Sequence, residues 1–541
     1  MQPKVLNFDF RPIKAVYNFI SAYLKRTAMN LSTASAYVPE LQVYERELTD
    51  YTEALVRQKT QVKRRINEKV PDSLLLMEHP SVITLGRSGS VKDLRLTEKQ
   101  LLAEKVQVHR ISRGGMATFH GPGQLVAYPI IRLCDQDLHR YLKKLLNVVV
   151  SLLREFGIEP ELKPEAPGVW VNGAKIASIG IAVEKWVTYH GVALNVNTDL
   201  NGFSWIIPCG QPNEHITSLR AVLGKPVDIK AVETSFITAF CREFKYTPVF
   251  PVPETGKPEW FKKGPCSQSL LYHMNRNLRE AGLSTVCEEA QCPNLSECFS
   301  RGTATFMILG DTCTRGCRFC AVKKGLPSVP DPLEPERLAI TVRKLNLSYV
   351  VVTSVTRDDL GDGGAGHFVE TIKAIRKRCP AVKIEVLTPD FQGKSQAIQQ
   401  IISARPDMFN HNIETVPRLY PAVRPGAQYD RSLSVLEYAA NKGLATKSGM
   451  MLGLGEKAGE IEASLNDLFQ AGCRHVTLGQ YLAPSEKHTP VRRYLSPEEF
   501  EVWGEVAGEI GFSEVASAPL VRSSYLADQM GQAAWKGRAG R

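Results

Sequence analysis

The chain has no run of about 18 apolar residues, the length a helix needs to cross a bilayer. Nor does it open with a secretory signal pattern. Dense basic blocks are missing too. Its 67 Lys and Arg and 56 Asp and Glu are spread along 541 residues, so the net charge of +11 reads as ordinary solvated surface and not as a nucleic-acid tail. Electrostatic steering of acidic partner proteins is the lesser reading of that charge. The spacings of a phosphate-binding P-loop and of a dinucleotide fingerprint are both absent, so neither ATP nor NAD is implied. No internal repeat relates the two halves. A soluble, cytoplasmic protein of two to four domains is expected, with no membrane and no nucleic-acid partner.

Cysteine, by contrast, is concentrated. Six of the twelve lie within 34 residues as two triplets, Cys287, Cys292, Cys298 and Cys313, Cys317, Cys320. Structural zinc favours paired C-x2-4-C units with four closed ligands, and only Cys317 and Cys320 form such a pair. Disulfide scaffolds belong to short secreted chains. Ferredoxin carriers use C-x2-C-x2-C, which neither triplet matches. Two iron-sulfur clusters are the favoured reading. In C-T-R-G-C-R-F-C one tight loop presents three thiolates to a cubane, leaving a fourth iron without a protein ligand.

The stretch Thr247 to Pro258 carries four prolines and a glycine in twelve residues, which suits a stiff extended linker. It divides the chain into an N-terminal extension (1–39), a first domain (40–246), the linker (247–258) and a second domain (259–541). The extension is basic and bears apolar residues at helical spacing from Val16 to Leu24. A transit peptide and an appended amphipathic helix fit it equally.

Beyond the cysteines, strand-like runs start at Thr303, Tyr349, Lys383, Met408, Ala445 and His475, and amphipathic segments such as His367 to Arg378 and Glu460 to Ala471 lie between them. Six such units predict an open, partial (β/α)6 barrel. Its chemistry belongs at the C-terminal strand ends, where the second triplet falls.

This second domain resembles lipoyl synthase, a radical S-adenosylmethionine (SAM) family. The resemblance rests on T-V-C-E-E-A-Q-C-P-N-L-S-E-C (285 to 298), G-D-T-C-T-R-G-C-R-F-C (310 to 320), T-S-V-T-R-D-D-L (353 to 360), N-H-N-I-E-T-V-P-R-L-Y (410 to 420), T-K-S-G-M-M-L-G-L-G-E (446 to 456) and V-R-S-S-Y (521 to 525). It departs from the familiar pattern at Ala518 and Leu526. The resemblance implies two 4Fe-4S clusters. One, on Cys313, Cys317 and Cys320, binds SAM and makes a 5'-deoxyadenosyl radical. The other, an auxiliary cluster on Cys287, Cys292, Cys298 and Ser524, with Ser523 as the lesser candidate, is consumed as the sulfur source for C6 and C8 of a protein-bound octanoyl chain. Arg357, Asp358, Asp359, Asn410, Glu414 and Lys447 are candidates for contacts with SAM or substrate, with a salt bridge or helix cap as an equal reading of each.

The first domain carries R-G-G-M-A-T-F-H-G-P-G-Q-L (113 to 125), a backbone able to fold closely around a ligand. It also carries V-N-G-A-K-I-A-S-I-G-I (171 to 181), H-G-V-A-L-N-V-N (190 to 197) and I-I-P-C-G (206 to 210). A lone cysteine is usually a buried hydrophobe and a lone lysine a solvated edge. Brought together, Lys175 lowers the pKa of Cys209 and makes it a nucleophile. These motifs resemble lipoyl(octanoyl) transferase, within the α+β fold of biotin and lipoate protein ligases. The resemblance implies that Cys209 takes octanoate from acyl carrier protein as a thioester, with Lys175 shuttling the proton, and passes it to a lysine of a lipoyl domain. Substrate would lie against Arg113, Gly114, Gly115, Thr118, His120, Gly121, Pro122 and Gly123, against Ser178, Ile179 and Gly180, and against His190, Gly191 and Val192, with His79 and Arg87 as further wall candidates.

Together the halves imply a bifunctional enzyme: an octanoyl-[acyl-carrier-protein]:protein N-octanoyltransferase followed by a lipoyl synthase (a sulfurtransferase). Implied partners are octanoyl-acyl carrier protein, lipoyl domains of 2-oxoacid dehydrogenases, glycine cleavage H protein, and an electron donor such as ferredoxin or flavodoxin. Two alternatives stand beside this reading. The first half is an ATP-dependent lipoate-protein ligase, which would need no thiol, or the second half is a different radical SAM sulfur inserter.

Overall fold

A computed structural model describes residues 38–163, 166–251, 258–261, 283–285, 294, 297–298, 301–525 and 527–530. Most of the N-terminal extension, the linker residues 252–257, Cys287 and Cys292 lie outside them.

The first half runs β1 (Glu40–Leu48), α1 (Tyr51–Ile66), β2 (Ser73–Glu78), β3 (Val82–Leu85), α2 (Glu98–Ala103), β4 (Gln107–Arg110), β5 (Ala117–His120), β6 (Gln124–Ile130), α3 (Leu138–Glu155), β7 (Gly168–Val171), β8 (Ala174–Glu184), β9 (Val187–Asn195), α4 (Leu219–Leu223), α5 (Ile229–Phe244) and β10 (Thr247–Val249). Its main sheet is seven-stranded, ordered β10-β1-β2-β6-β9-β8-β7, with a smaller sheet β4-β3-β5 beside it. Strand alternation sorts β2 between two layers. Leu74 and Leu76 pack with α3 and α5, through Leu145, Val149, Phe236 and Phe240. Leu75 and Met77 face α1, through Ala54 and Val62. Helix α1 starts cleanly because the Asp50 carboxylate accepts from the N–H of Thr52 at 2.9 Å.

The linker assignment needs one correction: Thr247 to Val249 pair in parallel with Glu40 to Gln42. Pro248 is tolerated because β10 is the edge strand, where a missing N–H leaves no neighbour unsatisfied.

The second half contains β11 (Ser284–Thr285), β12 (Thr303–Ile308), β13 (Thr312–Cys313), β14 (Lys323–Lys324), α6 (Glu334–Lys344), β15 (Tyr349–Ser354), α7 (Ala365–Arg378), β16 (Lys383–Leu387), α8 (Ser395–Ser403), β17 (Met408–Asn410), α9 (Tyr420–Val423), α10 (Tyr429–Asn441), β18 (Thr446–Leu452), α11 (Ala458–Gln470), β19 (His475–Gln480), α12 (Pro497–Ile510) and β20 (Glu514–Ser517). The sheet order is β11-β12-β15-β16-β17-β18-β19-β20, parallel throughout except for β11. The six expected strands are present as an open, partial barrel. A seventh parallel strand, β20, was not expected, because Glu514 to Ser517 is short, half-buried and without a strong apolar run. Between β12 and α6 the two-residue pair β13-β14 pins both ends of the cysteine loop, with Thr312 opposite Lys323.

The halves meet through α1. Its Val56 is 6% exposed and belongs to the hydrophobic core between α11, α12 and the sheet, a burial that stabilises by about 1.5–3 kcal/mol. Among the described residues, no helix is long and apolar enough to cross a membrane.

Candidate active sites

In the first half a cavity of about 210 Å³ opens where β8 and β9 face the Gly-rich loop before β5. Arg113, Gly114, Gly115, Thr118 and His120 line one side, and Lys175, Ser178, Ile179 and Gly180 another. His190, Gly191 and Val192 line the floor. Gly121, Pro122 and Gly123 are not part of it. They turn the chain from β5 to β6, where Gly123, at φ +83°, donates to the Glu78 carboxylate at 2.9 Å. Two glycines admit neighbours that a Cβ would strike. At Gly180 it would meet Arg113 Cδ at 2.7 Å, and at Gly168 it would meet Lys175 Cε at 2.5 Å.

Arg113 braces the loop. Its guanidinium donates to the carbonyls of Thr84, Gly114 and Met116 and to the Thr84 hydroxyl, each at 2.9 Å. Lys175 is 2% exposed, with Nζ 5.0 Å from the Trp170 ring centroid. Its backbone N–H donates to His215 O at 2.7 Å and its carbonyl accepts from Thr217 at 2.9 Å, which ties β8 to the segment after Pro208 to Gly210. Gln211 and Glu214 of that segment line the same cavity. Gly210 packs so tightly on the Gly-rich loop that a Cβ there would lie 2.4 Å from Met116 Sδ. The Cys209 side chain lies outside the described residues. The thiol–ammonium pairing expected from the sequence thus falls outside what is described; Lys175 and the nearby Gln211 and Glu214 are what line the cavity.

The walls hold neutral histidines. Burial lowers His120 to about 3, aided by the neighbouring His79. Burial, with Arg113 next, lowers His190 to about 3. His79 sits behind the cavity, bonded to Thr49 O and the Tyr128 hydroxyl at 2.8 Å each, and burial lowers it to about 4. Arg87 contributes a backbone bond to the loop, N–H to Arg113 O at 2.9 Å. Tyr51, Tyr128 and Glu214 also line the cavity, and no motif pointed to them. Glu214 carried one faint signal, a carboxylate four residues past a P-C-G turn, and it accepts from the indole N–H of Trp170 at 2.8 Å.

In the second half a cavity of about 280 Å³ sits at the C-terminal ends of β12, β15, β16 and β17. Cys313, Cys317 and Cys320 all line it, with Arg315, His411, Asn412, Glu414, Arg424 and Ser523. Burial raises Cys317 and pushes Cys320 up to about 11, so without a cation these remain thiols. Among the described residues, no group of three or more His, Cys, Asp or Glu closes on a single ion. A cubane needs thiolates that stand farther apart than the ligands of one ion. The residues present fit such a group with a ligand beside it, because three cysteines share the cavity with His411 and Asn412, whose buried Nε2 and Oδ1 atoms have no hydrogen-bond partners.

The cysteine loop is clamped. Arg315 Nε and Nη2 hold Asp358 at 2.7 and 2.9 Å, and Nη2 reaches Asp390 at 2.6 Å. Burial would raise Asp390, but the bonds from Arg315 outweigh it and hold the carboxyl at about 2. The strand-end candidates now separate. Arg357 pairs with Asp359 at 2.8 Å. Asn410 and Lys447 both bind Glu385 inside the barrel, at 2.7 and 3.2 Å. Only Glu414 of that group lines the cavity, in left-handed backbone at φ +65°, with burial raising its pKa.

Of the first triplet, Cys298 is described and half-buried. Its segment is stitched to the R-S-S-Y segment: Tyr525 donates to Glu297 at 3.0 Å, Arg301 pairs with Asp528 at 2.6 Å, and Asn294 donates to Leu520 O at 2.5 Å. Ser523 lines the cysteine cavity and Ser524 lies beside it, half-buried.

Over 285 residues the chain is 57% identical to a lipoyl synthase of Methylococcus capsulatus, covering 52% of this chain and 88% of that one. The chain belongs to the lipoyl synthase family. Residues 307–468 match the radical SAM superfamily, and residues 50–241 match the lipoyl protein ligase A/B catalytic domain. Lipoyl synthase is thus joined here to a ligase-type domain. Two solved structures are similar to the chain. A bi-partite lipoate protein ligase from Thermoplasma acidophilum is 16% identical, with a TM-score of 0.35, covering 40% of this chain and 87% of its own. Lipoate-protein ligase A bound with ATP is 17% identical, with a TM-score of 0.33, covering 39% and 90%. At those scores they add no argument about the reaction. The family match corrects the expectation of an octanoyltransferase fed by acyl carrier protein: what residues 50–241 match is described as a ligase catalytic domain. The acyltransferase assignment, with its acyl-carrier-protein donor, is withdrawn.

Proposed function

We propose that the chain makes protein-bound lipoyl groups in two steps, attaching a medium-chain acid to a carrier lysine and then inserting sulfur. The single observation that carries this reading is the union, in one chain, of a ligase-type cavity floored by strands and a lipoyl synthase cavity lined by three cysteines.

In the first step an eight-carbon carboxylate attacks ATP, forming a mixed anhydride with AMP and expelling pyrophosphate. The lysine amine of a lipoyl domain then attacks the acyl carbon, loses a proton and expels AMP, leaving an amide. Val192, Ile179 and Ala193 give the chain an apolar floor. Lys175 supplies a fixed positive charge where negative charge develops, held by the Trp170 face and the close approach of Gly168. His120 and His190 stay neutral and do not compete with that charge, and His120 is held in place by Gln124 and Thr84.

In the second, Cys313, Cys317 and Cys320 would hold a 4Fe-4S cluster, which supplies an electron to split SAM and so a radical able to take hydrogen from unactivated methylenes. Arg424 and Glu414 present opposite charges to the amino-acid end of that cosubstrate, and Asn412 and His411 offer buried acceptors. Cys298 with Cys287, Cys292 and a serine of the R-S-S-Y segment would hold the sulfur-donating cluster. The proposed partners are lipoyl domains of 2-oxoacid dehydrogenases, glycine cleavage H protein and a low-potential electron donor such as ferredoxin or flavodoxin.

The deciding experiment supplies anaerobic full-length protein with octanoate, ATP and an apo-lipoyl domain, followed by SAM and reductant. Octanoyl-lysine should form with release of AMP and pyrophosphate, and the product should then gain two sulfurs. The ligase reading predicts that Cys209→Ala retains the ATP-dependent step. Complete loss in that variant, or no acylation with ATP, overturns it.

A further inference from the structure

Helix α1 presents two faces to two partners. Tyr51 and Gln58, two turns apart, share one face. Tyr51 lines the first-half cavity, and Gln58 Oε1 accepts from the backbone N–H of His190 at 2.8 Å. His190 has φ +57°, a left-handed conformation uncommon for any residue but glycine and held only when its surroundings over-determine it. The next residue is equally constrained, since a Cβ on Gly191 would lie 2.3 Å from Ala127 O. Thus the cavity floor at His190 and Gly191 depends on where α1 places Gln58.

The other face, Thr52, Val56, Lys59 and Lys63, follows helical spacing and packs on the second half, with Thr52 and Val56 buried and the two lysines half-buried. Thr52 donates to Glu462 at 2.9 Å. Lys59 meets Glu509 at 3.4 Å, Lys63 meets Glu505 at 2.5 Å and Glu501 at 3.9 Å, and Lys69 beyond the helix meets Glu498 at 2.5 Å. As the lysine numbers rise, the glutamate numbers fall, so α1 and α12 form an antiparallel ladder of opposite charge. Each rung taken alone is worth little. As a row around the buried Val56 the rungs fix the register of one helix on the other.

We infer that α1 is a positioning element through which the lipoyl synthase half holds the acyl cavity of the ligase half in its binding form. This rests on the proposed reading of that cavity as the acyl site. The coupling is reciprocal: a filled cavity, by fixing Gln58 and Tyr51, tightens the docking of α1 on α12.

The test uses the full chain and octanoate as probe. Glu501→Lys with Glu505→Lys reverses the central Lys63 rung of the ladder with no substitution in the ligase half, Lys63→Glu added to that pair restores attraction, and Gln58→Leu removes the acceptor while leaving the ladder intact. Hydrogen exchange reports the docking of α1, titration reports octanoate affinity, and KM is read separately from kcat in ATP-dependent acylation. The reversed ladder should speed exchange in α1 and weaken octanoate binding about tenfold, with the rise in KM and with recovery when Lys63→Glu is added. Gln58→Leu should weaken binding to a similar degree with α1 still protected. Release of 5'-deoxyadenosine checks that the second half remains folded. If α1 loosens while octanoate affinity stays within about twofold, or if reversal fails to loosen it, the coupling is overturned. Failure of the unsubstituted protein to bind octanoate overturns the acyl-site reading itself.

Discussion

The first-half cavity is floored by strand residues, Lys175 and Ser178 to Gly180 on β8 and His190 to Ala193 on β9, with the Gly-rich loop over them, whereas the cysteine cavity is walled largely by loops at the strand ends. In the first, each side chain is placed by a ladder register, such as Ser178 opposite Ala193 and Gly180 opposite Gly191. The site is shaped before any ligand arrives, and glycines carve its space. In the second, the three cysteines sit on a loop pinned by two-residue strands and one arginine clamp. A ladder-built site is broken by steric change and a loop-built site by loss of a ligand, because a strand cannot move one residue without its neighbours, while a loop closes around what it binds.

Cys317→Ala should have the largest effect that contrast predicts: 5'-deoxyadenosine release falls by more than about 100-fold, as for loss of an essential ligand, while ATP-dependent acylation stays unchanged. Product assays on one preparation check both halves. Lys175→Ala should do the reverse, lowering acylation by about 100-fold and leaving SAM cleavage intact. Gly168→Ala comes next, since its Cβ would lie 2.5 Å from Lys175 Cε and 2.8 Å from Ala177 O. Displacing a positioned cation by a fraction of an ångström should cost about tenfold in acylation. A fall confined to sulfur insertion would contradict the steric argument.

Acid should produce the smallest effect and also separate the halves. His79, His120 and His190 are held near 4, 3 and 3 in the fold, below the unfolded value of about 6.5. Below that value the unfolded chain binds protons that the folded one refuses, so stability falls as pH drops from about 6.5 toward 3, by about 1 kcal/mol per histidine at pH 5.5. Asp390 has the opposite logic of charge. Held at about 2 by Arg315, it keeps its stabilisation above about 4 and loses it only as pH falls through 2. His411 in the second half is likewise lowered to about 4 by burial. Both sheets should therefore lose hydrogen-exchange protection between about pH 7.5 and 5.5, but β6 and β9 more than β12 and β15, because His79, His120 and His190 together bear on the first cavity. Equal loss in both sheets would refute the assignment.

Much of this was legible in the chain. The six parallel strands announced themselves as β-branched runs between amphipathic segments, and the second triplet fell where a strand-end site belongs. Strand β20 escaped because Glu514 to Ser517 offers no apolar period, and β10 because its proline read as linker until pairing with β1 made it an edge. In the first cavity Arg113 to Gly115, Thr118, His120, Lys175, Ser178 to Gly180 and His190 to Val192 came together, whereas Gly121 to Gly123 only turn the chain from β5 to β6, and of the six strand-end candidates Glu414 alone lines the second cavity. Tyr51, Tyr128 and Glu214 stayed hidden, since an aromatic or a carboxylate at one position reads as core or surface until the fold brings it beside Lys175. The reaction of the first half was misread because glycine spacing and a P-C-G turn describe a cavity without specifying how the acid is activated.

Spacing alone determined the cysteine triplets and the order of strands and helices, because thiolate ligation and periodicity are local properties of the chain. Only the tertiary structure decided that Arg357, Asn410 and Lys447 pair with neighbouring carboxylates while Glu414 lines the cysteine cavity, and that a helix of the first half is docked on the second. Those outcomes depend on which charges are brought within a few ångströms of one another, and chain order carries no distance between residues hundreds of positions apart.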